Sequence, residues 1–218
     1  MPISNRNHSY QKEATRHTMD TTKLLENLRR REIDAVYFDT KEEAAAWLSD
    51  TVTGRRVVFG GSKTLEAMGL YERLGQNNDV FWHWVTNDRA AQHAAESACE
   101  VYFTSVNACA ETGELVNIDG RANRVATSVY GPKETYLVFG INKIAPTLET
   151  AILRARNFAA PKNALRFTDS TPCARSGGSL CGDCASKERI CRVMNIIMAK
   201  PFGLEKMTAV VIGEVLGY

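Results

Sequence analysis

From Asp34 onward the chain alternates short continuous apolar runs with stretches in which apolar residues recur at helical spacing. "DAVYFD" (34–39) reads as a strand, and Thr40 with Glu43 three residues later forms a capping box that opens the helix "KEEAAAWLSDTV". "RVVFGG" (56–61) is a second strand, apolar up to its glycines, and Ser62 caps the helix "KTLEAMGLYERL". "DVFWHWV" (79–85) reads as a third strand, with His83 on the face of Phe81 and Val85, and "NDRAAQHAAESAC" returns a helix. "VYFTSVNAC" and "ELVNID" flank the turn "AETG". "RANRVATSVYG" is a short helix, "ETYLVFGIN" a strong strand, and "APTLETAILRARNFA" a helix with Pro146 near its start. After Pro161 the composition turns polar and cysteine-bearing before two closing strands, "RVMNIIMAK" and "MTAVVIGEVLGY".

This rhythm predicts an α/β fold with a mainly parallel sheet flanked by helices. Ahead of it, Met19, Leu24, Leu25 and Leu28 stand at helical spacing within a polar stretch, which predicts a leading amphipathic helix. The organisation read from these patterns is a leading helix within residues 1–33 and an α/β domain over 34–218, with a cysteine lobe at 168–192 inserted before the last strands. No internal repeat or low-complexity tract interrupts it.

Composition narrows the picture. At 218 residues with 44% apolar content the chain can bury a substantial core, and Lys+Arg 27 against Asp+Glu 25 speaks for neither a nucleic-acid binder nor an acidic tail. Any anion site must therefore be local. The first twenty residues hold no apolar signal core, and no stretch reaches the roughly 20 apolar residues of a membrane span, so a cytoplasmic protein is expected. In that compartment thiols stay reduced, which makes disulfides the least favoured use of the six cysteines.

Four of those cysteines lie in "TPCARSGGSLCGDCASKERIC". Cys173, Cys181, Cys184 and Cys191 are separated by seven, two and six residues, and the central C-x-x-C is the spacing at which two thiolates on one turn bind a single metal centre. Four sulfurs suit tetrahedral zinc or a 4Fe–4S cluster, and neither common ferredoxin spacing is matched. A redox-active dithiol with two bystanders and four unused thiols are the alternatives. Cys99 and Cys109 stand apart as expected core residues.

Two stretches carry further candidate chemistry. Gly60, Gly61 and Ser62 sit where a strand gives way to a helix, a geometry that favours a phosphate or carboxylate but matches neither standard phosphate-loop motif; a ligand-free tight turn is the alternative. In "SVNACAETGELVNIDGRANRVA", Asn107, Asn117, Asp119, Asn123 and Arg124 interrupt otherwise ordinary elements. Polar groups at strand ends need partners, supplied by a ligand in a crevice beyond the sheet or by one another. Lys143, after a strong strand, is a candidate cation for the same crevice. No Ser-His-Asp order or H-E-x-x-H motif assigns a general base.

Taken together, "GGSKTL", "TSVNA", "TGELVNIDG", "NRVA", "YGPKETYLVFGINKI", "RNFAAPKNALRF", "TPC", "CGDC", "ERIC" and "VIGEVLGY" resemble, in collinear order from about Arg55 to Tyr218, the lactate-utilization (LUD) domain family. Ala122 stands where that family usually carries a second glycine, and the segment between Cys173 and Cys181 is about two residues longer than its usual form. The resemblance implies a fold like that of ribose-phosphate isomerase, glucosamine-phosphate deaminase and CoA transferases. It also implies a role in oxidation of lactate or a related small carboxylate, alongside iron–sulfur partner proteins in some members. By motif position, Gly60, Gly61, Ser62, Asn107, Asn117, Asp119, Asn123, Arg124, Asn142 and Lys143 become crevice candidates, and the four clustered cysteines metal candidates. The partner expected is a small anionic substrate, with a homodimer as a candidate assembly. An isomerase or transferase acting on a small phosphorylated or carboxylated substrate, and a noncatalytic assembly subunit with the leading helix as docking element, are the competing functions.

Overall fold

The computed structural model describes residues 20–88, 90–167, 170–179 and 181–218. Met19 lies outside them, but the helix it was expected to join is present as α1 (Thr21–Arg30), capped by Asp20 accepting from Lys23 N and burying Leu24 and Leu28. The elements then follow as β1 (Asp34–Phe38), α2 (Lys41–Thr51), β2 (Arg56–Phe59), α3 (Lys63–Ala67), α4 (Leu70–Leu74), β3 (Asp79–Phe81), α5 (His83–Thr86) and α6 (Ala90–Ala98). The second half runs β4 (Val101–Thr104), β5 (Ala108–Ala110), β6 (Leu115–Asp119), α7 (Asn123–Thr127), β7 (Glu134–Gly140) and a 3₁₀ turn (Ile141–Lys143). It closes with β8 (Ile144–Ala145), α8 (Leu148–Arg154), a π turn (Ala155–Ala159), α9 (Ala160–Ala164), α10 (Pro172–Arg175), β9 (Val193–Ile197) and β10 (Lys206–Ile212).

Six strands form one parallel sheet in the order β1-β10-β7-β4-β2-β3, as the alternating pattern predicts. Its face toward α2, α3 and α4 buries Val57, Phe59, Phe103, Tyr136, Val138, Val210 and Ile212, with Phe103 and Tyr136 stacked at 4.8 Å. The opposite face buries Leu137, Phe139, Ala209 and Val211 against Leu24 and Leu28 of α1. The strand period of two thus sends successive residues to the two layers. The expected capping box is formed, with Thr40 Oγ1 accepting from Glu43 N and Glu43 accepting from Thr40 N.

A second sheet was not expected. It has four strands in the order β8-β5-β6-β9, with β5–β6 and β6–β9 antiparallel and β5–β8 parallel. Cys109, Leu115 and Ile197 on one of its faces pack into the layer below the main sheet, and Ala108, Ala110, Val116 and Ile118 on the other face meet Ala151, Ala155 and Ala160. The strand "RVMNIIMAK" therefore closes this smaller sheet rather than the main one.

Two further expectations are corrected. The run 79–85 is a strand only to Phe81: β3 is an edge strand whose pairing with β2 stops at Val58–Phe81. Trp82 then turns into the core against Phe59, and His83 begins a helical turn. The helix after Ser62 breaks at Gly69, which adopts the left-handed conformation at φ 58° between α3 and α4.

Candidate functional site

The carboxyl ends of β2, β4 and β7 open on one side of the main sheet, where ligands collect in open α/β folds. Gly60 and Gly61 follow β2, Ser105 to Asn107 follow β4, and Lys143 ends the turn after β7. Between them lies an inner pocket of about 60 Å³ lined by Gly61, Ser62, Ser105, Asn107, Arg124 and Lys143, among others. Gly61, Asn107, Arg124, Asn163 and Arg166 also line an outer chamber of about 420 Å³, so the two are compartments of one cleft.

Lys143 is only 4% exposed. Its Nζ donates to Thr64 Oγ1 and Ser105 Oγ, both at 2.9 Å. Burial holds its pKa well below the ordinary lysine value, and the neighbouring Arg154 and Arg124 push it the same way. Arg154 donates to Asn142 O at 2.9 Å and to Asn107 O, tying the Lys143 turn to the β4–β5 segment.

Arg124, at the start of α7, is fixed by neutral acceptors. Its Nη1 donates to Ser105 O (3.2 Å) and Asn117 Oδ1 (2.6 Å), and its Nη2 to Asn107 Oδ1 (3.1 Å) and Ile118 O (2.6 Å). Asn117 and Asn107 also lock each other: Asn117 Oδ1 accepts from Asn107 N, and Asn107 Oδ1 from Ile118 N. Asp119 turns the chain into α7 by accepting backbone N–H groups of Gly120, Arg121, Arg124 and Val125. Asn123 Nδ2 donates to the buried Glu96 at 2.7 Å.

Of the crevice candidates, Gly61, Asn107, Asp119, Asn123 and Arg124 line the outer chamber, and Gly61, Ser62, Asn107, Arg124 and Lys143 the inner pocket. Gly60, Asn117 and Asn142 stand behind the walls. A Cβ on Gly60 would lie 2.6 Å from Tyr102 Oη, Asn117 braces Arg124, and Asn142 Oδ1 accepts from Leu216 N. Ser62 serves first as a cap, accepting from Leu65 N at 3.2 Å, and Gly60 N donates to Phe103 O in the strand ladder.

Sequence reading did not single out Thr64, Ser105, Arg154, Arg166 or Trp84. Arg166 is held between aromatic rings, with its guanidinium carbon 4.3 Å from the Trp84 centroid and 5.2 Å from that of Phe167. Together with Arg121, Arg124, Arg189 and Arg192 it gives the chamber five arginines against Asp119 and Glu188.

Ala122 adopts φ 68°, ψ −9° as the residue before α7. An L-residue in this region costs about 1–2 kcal/mol, a cost that glycine would not carry. Ala122→Gly is expected to stabilise the chain by about 1 kcal/mol, read as a higher urea midpoint at unchanged slope.

Cys173, Cys181, Cys184 and Cys191 line one small cavity with Arg156, Thr171 and Arg189. All six cysteines are free thiols. Arg189 Nη1 donates to Cys184 O at 2.7 Å and its Nη2 to Cys191 Sγ at 3.3 Å. Four thiols are the donor type of a zinc or iron–sulfur site. Among the described residues, however, no group of three or more His, Cys, Asp and Glu side chains is arranged to hold a metal ion. Arg189 and Ile190 line both this cavity and the outer chamber, so the cysteine segment forms one wall of the cleft. Cys99 and Cys109 are buried, as expected, and desolvation raises both thiols, Cys99 to about 12.

The LUD domain model matches residues 21–212. The chain belongs to the LUD-domain family. A crystal structure of a DUF162 family protein from Deinococcus radiodurans superposes with a TM-score of 0.51 at 16% identity, covering 90% of this chain and 100% of that one, which supports the fold of this LUD-domain protein. No curated protein matches the chain. Membership makes this LUD-domain chain a lactate-utilization-related protein. Among its described residues no helix is long and apolar enough to cross a membrane.

Proposed function

We propose that this LUD-domain protein binds a small hydroxy- or oxo-carboxylate in the inner pocket and takes part in oxidation of lactate or a related acid. The observation that carries this reading is Arg124, whose acceptors are all neutral, lining the inner pocket with Arg166 around the buried amine of Lys143. Buried cations are retained where something offsets them, and an anionic ligand supplies the missing charge.

The second part of the proposal concerns the thiols. Cys173, Cys181, Cys184 and Cys191 would hold zinc or a 4Fe–4S cluster, the latter supplying one-electron transfer to iron–sulfur partner proteins. What supports it is their common cavity against the cleft wall. Protein purified without oxygen is expected to be brown, with iron and sulfide in stoichiometric amounts. A colourless preparation with one zinc per chain would remove the redox role, because zinc is redox-silent.

A second reading, an isomerase or transferase acting on a phosphorylated substrate, draws on the size and five arginines of the outer chamber, which exceed what a three-carbon acid needs. Calorimetry and thermal shift separate the two readings. Lactate and pyruvate binding that disappears in Lys143→Met supports the first. Stabilisation by sugar phosphates alone supports the second, by mass action on the folded state.

A further inference from the structure

We propose that Lys143 acts as a nucleophile, its amine forming an imine with a small 2-oxo acid held in the inner pocket. This rests on the reading of that pocket as a carboxylate site, and goes beyond it by assigning a covalent step to one atom.

The hydrogen-bond arrangement around Nζ carries the argument. Thr64 Oγ1 spends its own proton on Leu216 O (3.2 Å), and Ser105 Oγ spends its proton on Thr64 Oγ1 (3.4 Å). Both hydroxyls are therefore left as acceptors toward the amine, and each takes one N–H at 2.9 Å. A neutral amine has two N–H groups and one lone pair, so these two acceptors satisfy it and leave the lone pair for the pocket. An ammonium would turn a third N–H into the pocket in place of the lone pair, and burial disfavours that charged form.

The surroundings favour the same protonation state. Lysine becomes nucleophilic when desolvated or placed beside another cation, and Lys143 meets both conditions, with Arg154 and Arg124 as the cations. An ordinary surface lysine, by contrast, is neutral in fewer than about one molecule in a thousand at pH 7. Arg124 and Arg166 line the same pocket and offer a carboxylate its counter-charge while the carbonyl carbon faces Nζ.

The step balances without a redox partner. The Nζ lone pair adds to the keto carbon, the C=O π pair moves to oxygen, and that oxygen takes up one proton as the nitrogen releases one, giving a neutral carbinolamine. Loss of water then leaves C=N, so that amine plus oxo acid gives imine plus one water. Hydroxy acids such as lactate carry no keto group and bind without this step.

The test treats the full chain with pyruvate and sodium borohydride, which reduces an imine to a stable secondary amine, and maps the adduct by peptide mass spectrometry. A single adduct at Lys143, suppressed by excess lactate and absent in Lys143→Arg, is the expected result. Pyruvate binding seen by calorimetry in untreated protein, together with an unmodified Lys143 peptide, overturns the imine and leaves the carboxylate site standing. No pyruvate binding by calorimetry overturns both. Since the adduct is mapped in the unaltered protein, the test survives a variant that fails to fold. The pH at which the trapping rate levels off gives a second reading: well below that of surface lysines if the amine is neutral as argued, and level with them if it is not.

Discussion

Replacing Arg124 with methionine is expected to lower stability by about 2–4 kcal/mol and to abolish ligand binding together. The guanidinium satisfies Ser105 O, Asn117 Oδ1, Asn107 Oδ1 and Ile118 O. Two of these acceptors keep a backbone donor, Asn117 Oδ1 from Asn107 N and Asn107 Oδ1 from Ile118 N. The loss is therefore less than four full desolvation penalties of about 1–3 kcal/mol each. For a chain of this size each kcal/mol moves the melting temperature by roughly 2–4 °C, so a fall on the order of 5–15 °C is expected in a thermal melt. Arg124→Lys keeps the charge but not the planar fork, and should lose most of the same stability because one ammonium cannot reach four divergent acceptors. A variant that melts like the parent would mean that the asparagine pair holds the turn without the guanidinium, and the account of the pocket wall would fail with it.

This arginine could be suspected from sequence together with its partners Asn107 and Asn117, because all three lie in one polar stretch of the chain. "NIDGRANR" places Asn117, Asp119 and Arg124 on either side of one turn, and polar residues there demand partners. The capping box at Thr40 and the cap at Ser62 were equally readable, because their partners lie three residues away. Lys143 meets Thr64 and Ser105, which are 79 and 38 residues distant, and hydroxyls at element ends read as ordinary caps. Arg166 meets Trp84 across a comparable span.

The second sheet escaped for another reason. β5 and β8 are three and two residues long, and β5 is buried throughout, so no alternation marks it. β9 was legible as a strand, but with most of its residues exposed its pattern does not say which sheet it joins. The edge strand β3 was overextended because "FWHWV" is rich in strand-favouring aromatics, while the available ladder ends at Phe81. The cysteine spacing led to the expectation of one metal centre; the four cysteines line one cavity, and among the described residues no group of three or more is arranged to hold a metal ion.

Lys143→Met should behave in the opposite way to the Arg124 variant, keeping or gaining stability while losing function. Methionine is close in length and apolar, so it fills the space without an amine to desolvate. Thr64 keeps Leu216 O, and Ser105 keeps Thr64. Even a whole buried ion pair can be exchanged for apolar residues with a change that is neutral or stabilising by about 1–4 kcal/mol, and removing one buried amine should fall at the lower end of that range. The pH dependence gives the sharper test. The folded-state pKa of Lys143 is depressed, so between that value and the unfolded value near 10.4 the unfolded chain binds the extra proton, and stability of the parent rises with pH across that interval. Below the folded-state value both states are protonated and the full penalty remains. The melting curves of parent and Lys143→Met should therefore lie farthest apart at low pH and converge as pH rises toward about 10. Parallel curves over the whole range would mean that the amine is as readily protonated inside the protein as outside. Loss of stability in the apolar variant at every pH would make Lys143 a structural tie between Thr64 and Ser105 rather than a reactive group held at a cost to the fold.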